Sequence, residues 1–277
     1  MTLLVRFSVL AATLALPLSA CSPPPLPGAA ETVMVVHGLA RTSASMLLLG
    51  ARLEEAGYRV VSFGYPSRHE PMDQLVERLR TALAECCLDA PRVHFVTHSM
   101  GGIVVWNYLQ GSTPPNLGRV VMLAPPARGS EVIDELADAA PVRDFLGPAG
   151  SRLGTGQDDL PAALAPVDFE VGVIAGERSL NPFGSEIIPG PDDGKVAVER
   201  ARVPGAADFL VLPAPHTFIM NRRDVAEETV RFLRSGRFGA PSDVGAGSAA
   251  DPDSSVRDEP APGPGALNPP PAPSRAP

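Results

Sequence analysis

The chain has 277 residues, of which 32 are Pro and 26 Gly, with 44% hydrophobic and 19% charged residues and a formal net charge of −8. Its Gly plus Pro content approaches the roughly 25–30% of low-complexity chains, but the apolar material suffices for a core of ordinary size, and collagen is excluded because there is no Gly-X-Y period. After residue 20 no apolar run reaches the ~18 positions of a membrane span, and an acidic chain with no basic stripe and a single lysine, Lys195, is unsuited to nucleic acid.

Residues 1–20 carry one early cation, Arg6, then an apolar stretch from Phe7 to Leu16 and Leu18-Ser19-Ala20 directly before Cys21. This is the pattern of a signal peptide, too short to span a membrane. Leu-Ser-Ala-Cys resembles the lipobox of bacterial lipoproteins, which implies lipidation of Cys21 and a membrane anchor at the mature N-terminus. Residues 21–30 are a Pro-rich tether, extended at about 3.1 Å per residue. From residue 31 to residue 239 short apolar runs alternate with helical periodicity, which predicts an α/β fold: a mostly parallel sheet with helices on both faces. Strands are expected at residues 32–36, 58–63, 93–96, 120–123, 169–175 and 209–212. Helices are expected at residues 43–56, from Pro71 with Leu75, Val76, Leu79, Ala82, Leu83 and Cys86 on one face, at 102–110, and from Asp224 as N-cap to Arg234. Residues 127–167 interrupt this rhythm with Gly, Pro and short acidic helical pieces; they are either a lid beside the site or a surface excursion. The tail, residues 240–277, holds 10 Pro and 4 Gly and too little apolar surface to offset the entropy of ordering.

Cys86 and Cys87 are the only other cysteines. An adjacent pair closes only a strained ring, so the end of a helix is expected to bury one and half-expose the other, with a vicinal disulfide as the alternative. No metal-ligand spacing occurs, and no cofactor is implied.

The third strand runs into Thr97-His98-Ser99-Met100-Gly101-Gly102 and then a helix. A Ser on such a turn projects its hydroxyl from the sheet edge, with the amide behind it at a helix N-terminus where negative charge is stabilised. The first strand ends in His37-Gly38-Leu39, which can present the Leu39 amide to the same point; with the Met100 amide it makes a two-donor oxyanion hole. Pro191-Asp192-Asp193-Gly194-Lys195-Val196 supplies carboxylates after the fifth strand, and His216 follows the sixth. Among the five His, His37 and His98 belong to backbone turns, His94 packs within a strand and His69 lies in a polar loop, leaving His216 as the candidate base.

The order Ser, Asp, His, each after a different strand, resembles the α/β-hydrolases of the lipase and esterase type, close to bacterial PGAP1-like lipases with H-S-M-G-G elbows. The resemblance covers most of residues 31–239, with Thr97 in place of the usual first Gly of G-x-S-x-G. It implies Ser99 as nucleophile, His216 as base and then acid, Asp193, directly before Gly194, as the orienting acid in preference to Asp192, and Leu39 and Met100 as the hole. The implied protein is a secreted, membrane-anchored serine hydrolase of the cell envelope that cleaves carboxylic esters, lipids among them, without a cofactor. Acyl transfer on the same triad, or a silent surface-binding lipoprotein, are the alternatives.

Overall fold

The computed structural model describes residues 30–239. The signal peptide, the Cys21 lipidation site, most of the tether and the tail lie outside the described residues. Six strands, β1 (Thr32–Val36), β2 (Arg59–Phe63), β3 (Val93–His98), β4 (Leu117–Leu123), β5 (Val171–Gly176) and β6 (Asp208–Leu212), form one sheet in the order β2-β1-β3-β4-β5-β6. Every pairing is parallel.

Both faces of this sheet are covered, which is why its strands are apolar without alternation. Side chains alternate across a strand, so Met34 and Val36 enter one core with Phe95, Val120 and Met122, while Val33 and Val35 enter another with Val96, Val121 and Ile174. The first core is closed by α2 (Met72–Cys86) and α3 (Met100–Gly111), the second by α1 (Leu47–Glu55) and α7 (Arg223–Ser235). In α2, Leu75, Leu79 and Leu83 recur every fourth residue and are buried; each such side chain contributes about 2 kcal/mol of transfer free energy. In α3 nearly the whole surface is buried, Trp106 included. Helix α1 stops before Gly57, whose φ of 97° lets the chain reverse into β2. Among the described residues no helix is long and apolar enough to cross a membrane.

Three expectations need correction. Cys86 and Cys87 are joined in a disulfide: α2 ends between them, and Cys87 (φ −131°, ψ 2°) has left the helical conformation that would splay successive side chains about 100° apart. Cys87 is buried and Cys86 half-buried, as a helix end disposes them. Asp224 is not the N-cap of α7; the preceding 3-10 turn, His216–Asn221, puts the extended Arg222 in that position and Asp224 in the first turn, where it pairs with Arg222. His94 is more than packing. The register of β3 against β4 slips between Val93 and Phe95, and the Nδ1 atom of His94 accepts the Arg119 amide at 2.8 Å, with Nε2 3.1 Å from Glu31.

Candidate active site

Ser99 is the one residue between the last of β3 and the first of α3, with φ 53° and ψ −126°. A positive φ costs a non-glycine residue about 1–3 kcal/mol, held here by the Ser99 amide on the Leu123 carbonyl and the Gly102 amide on the Ser99 carbonyl, both at 2.9 Å. The turn is so tight that a Cβ on Gly101 would lie 2.5 Å from the His37 carbonyl oxygen and 2.8 Å from that of Val36.

The Ser99 hydroxyl lies 3.0 Å from Nε2 of His216, and Nδ1 of His216 lies 2.8 Å from Oδ2 of Asp193. Both His216 and Asp193 are buried. The other Asp193 oxygen accepts the amides of Lys195 (3.0 Å) and Val196 (2.8 Å), and the Asp193 carbonyl accepts the His216 amide at 3.0 Å, so carboxylate and imidazole are fixed by backbone as well as by each other. Asp192 faces elsewhere: its Oδ1 accepts the Ser185 hydroxyl and the Gly194 amide, closing the turn that aims Asp193. The amides of Leu39 and Met100 donate to no backbone carbonyl among the described residues, and Gly38, between His37 and Leu39, is so near the elbow that a Cβ there would sit 3.0 Å from the Ser99 Cβ.

Residues 28–159 match the model of a family described as serine aminopeptidase, S33. A lipase of Bacillus licheniformis, BlEst2 in its mature form, superposes on 76% of this chain and 94% of its own at a TM-score of 0.61 and 22% identity. The fold is that of an α/β-hydrolase. Phospholipase PlaB from Legionella pneumophila has a TM-score of 0.61 at 17% identity over 75% of this chain, which spans 60% of the length of that protein. One of the metagenome-derived lipolytic enzymes LipS and LipT has a TM-score of 0.53 at 19% identity, over 76% of this chain and 99% of the other. Among curated proteins there is no match to the sequence.

Within the α/β-hydrolase fold, the segment between β4 and β5 roofs the Ser99 hydroxyl. It holds α4 (Glu131–Ala137) and α5 (Ala140–Gly150), the latter broken at Gly147. Val132, Ile133, Leu136, Val142, Phe145 and Leu146 from these helices line a mainly apolar cavity of ≈ 270 Å³ that reaches Ser99 and His216. The base of this roof is tied to the loop that carries Asp193: the Ser130 hydroxyl donates to the Lys195 carbonyl at 2.6 Å, and Arg200 pairs with Glu131 at 2.7 Å.

Two histidines that sequence reasoning left to the turns hold the site in place. His98 donates from Nε2 to the His216 carbonyl at 3.0 Å, and desolvation, with His216 beside it, keeps its imidazole well below the usual histidine range. His37 donates from Nδ1 to the Gly38 carbonyl at 2.8 Å and accepts the Tyr65 amide on Nε2 at 3.3 Å, while the Tyr65 hydroxyl donates to the His37 carbonyl at 2.7 Å and the two rings stack. Burial lowers the His37 pKa too, which suits a ring that must accept on one nitrogen. Their immediate neighbours in sequence, Gly38 and Ser99, were the available signal; the partners were not. Among the described residues no three His, Cys, Asp or Glu side chains converge to hold a metal.

Proposed function

We propose that the protein is a serine hydrolase of carboxylic esters, esterase-like or lipase-like, acting through an acyl-enzyme. The observation that carries this reading is the relay in which His216 reaches Ser99 through one ring nitrogen and Asp193 through the other, at the end of an apolar cavity. A free hydroxyl is a poor nucleophile, so His216 takes the Ser99 proton as the oxygen attacks the ester carbonyl, and Asp193 holds the imidazole in the tautomer that can do so. The amides of Leu39 and Met100 receive the oxyanion. Collapse expels the alcohol, which takes its proton from His216; water, deprotonated by the same ring, then releases the acid. Removal of one hole donor typically costs about 10²–10³ in turnover.

The cavity favours esters over peptides with a free N-terminus. Among the described residues it is lined by Arg41 and Lys195 and by no carboxylate, so an α-ammonium would meet like charge. The H-S-M-G-G elbow supports the PGAP1-like assignment. Lipidation at Cys21 and a place in the cell envelope rest on Leu18-Ser19-Ala20-Cys21 alone; mass spectrometry of the mature N-terminus should show an acylated Cys21, and an unmodified thiol there would refute the anchor.

The activity itself is tested with a fluorophosphonate probe on purified protein. Wild type should be labelled and Ser99→Ala should not. An unlabelled wild type would leave a binding lipoprotein as the better reading. Product analysis in the presence of alcohols separates hydrolysis, which yields free acid, from acyl transfer, which yields a new ester.

A further inference from the structure

The cavity that reaches Ser99 and His216 is mainly apolar, and two cations, Arg41 and Lys195, line it. Neither is paired with a carboxylate among the described residues. Among the described residues Arg41 makes one hydrogen bond, from Nη2 to the Thr217 carbonyl at 3.1 Å, and the Lys195 ammonium makes none. In a chain of net charge −8 with 31 acidic residues, two cations without an ion-pair partner among the described residues, beside a cavity with no described acid in its lining, are a place built for an outside anion.

Their position says which part of a substrate carries it. Arg41 is bound to the residue after His216, and Lys195 stands in the Asp193 turn, two residues from the carboxylate that orients that ring. Both are thus carried by the segments that hold the imidazole, and both line the cavity it faces; the imidazole must protonate the departing alcohol. The apolar arm under α4 and α5 is left for the acyl chain.

We infer that Arg41 and Lys195 form an anion subsite on the leaving-group side, and that the substrates are fatty-acyl esters whose alcohol carries a phosphate or carboxylate. This rests on the proposed ester hydrolysis and narrows its substrate class. The Lys195 pKa is lowered, by desolvation first and by Arg41 second, against the pull of Asp193; a bound anion would offset both.

The test compares monodecanoylglycerol, its phosphomonoester and the decanoyl ester of glycerate, all below their micellar concentrations. At low salt wild type should favour the anionic esters by about tenfold or more in kcat/KM, the range of a charge-assisted contact, and the preference should shrink with added NaCl. Preference for both anions assigns the subsite to negative charge in general, and preference for the phosphomonoester alone assigns it to phosphate; either supports the inference. Arg41→Gln and Lys195→Gln should lower the ratio of anionic to neutral turnover severalfold, whereas Arg41→Lys and Lys195→Arg should keep most of it. Should either glutamine variant fail to fold, the salt dependence of the wild-type ratio still decides. A ratio near one with the neutral ester turned over, or a preference indifferent to salt, overturns the anion subsite and leaves ester hydrolysis standing. No turnover of any ester together with no fluorophosphonate label overturns both.

Discussion

Gly101 and Gly102 are neighbours in one helical turn and meet different things. A Cβ on Gly101 would press on two backbone carbonyls, His37 and Val36, that belong to β1 and the turn carrying the Leu39 amide; a Cβ on Gly102 would meet the Thr97 hydroxyl at 3.2 Å and the Met122 sulfur at 3.4 Å, both side-chain atoms. Gly101→Ala should therefore cost about 2–3 kcal/mol and at least about 100-fold in turnover, because the amides shift with the carbonyls. Gly102→Ala should stay within about 1 kcal/mol, helped by the helix propensity of Ala. Urea unfolding and p-nitrophenyl butyrate hydrolysis measure both, and equal effects at the two positions would contradict the geometry. Thr97, the departure from the usual elbow, leaves its buried hydroxyl without a partner among the described residues. Replacing it with the isosteric Val should leave stability unchanged or raise it. The elbow and His216 were legible because each follows an apolar run of strand, and the loop holding Asp192 and Asp193 by its carboxylates directly before Gly194. The bond from His98 to the His216 carbonyl was not, since its partners stand 118 residues apart and meet only when β3 and β6 are set in one sheet.

The roof formed by α4 and α5 is clasped from outside as well as from its base. Arg68 donates to the Phe145 carbonyl at 2.6 Å, its guanidinium lies 4.1 Å from the centroid of the Phe145 ring, and Gly147 fits so closely that a Cβ would fall on the Arg68 carbonyl. Arg68→Ala should loosen this clasp. It is expected to raise KM for p-nitrophenyl decanoate severalfold while leaving p-nitrophenyl acetate little changed, because only the longer chain needs the apolar arm; equal changes on both would show that the roof does not select the acyl group. Elements buried on both sides, such as β1 and β5, were plain in the sequence as unbroken apolar runs. The six-residue α6 (Pro182–Ile187) and the turn that starts at His216, just after Pro213 and Pro215, were not, since both are too short to display a helical period. The bulge at His94 was hidden for another reason: a register slip depends on the strand opposite.

Several buried imidazoles make the folded chain sensitive to acid. Desolvation lowers the pKa of His37 and His98, and that of His94, where Glu31 opposes it. The unfolded chain takes up these protons more readily, so the stability they allow is complete above the ordinary histidine value of about 6.5 and is lost as pH falls through it. Between pH 7.5 and pH 5.5 the Tm should drop by about 5 °C or more; a flat profile by calorimetry would mean that these rings open to water before they charge.

A sheet whose strands all run one way has a front and a back. The Leu39 turn, Ser99, Asp193 and His216 gather beyond the carboxyl ends of β1, β3, β5 and β6. The described chain enters at the amino end of β1 and leaves after α7, where the Phe238 amide donates to Asp208, the first residue of β6, at 2.8 Å. Entry and exit thus share the side away from the cavity. A bead, a fusion partner or a surface joined at residue 30 or residue 239 stands behind the molecule, and the opening looks outward into solution. Coupled to a support at either end, the protein should hydrolyse dissolved esters with the kcat/KM it has when free, and a large loss at both ends would mean that the opening faces its own support.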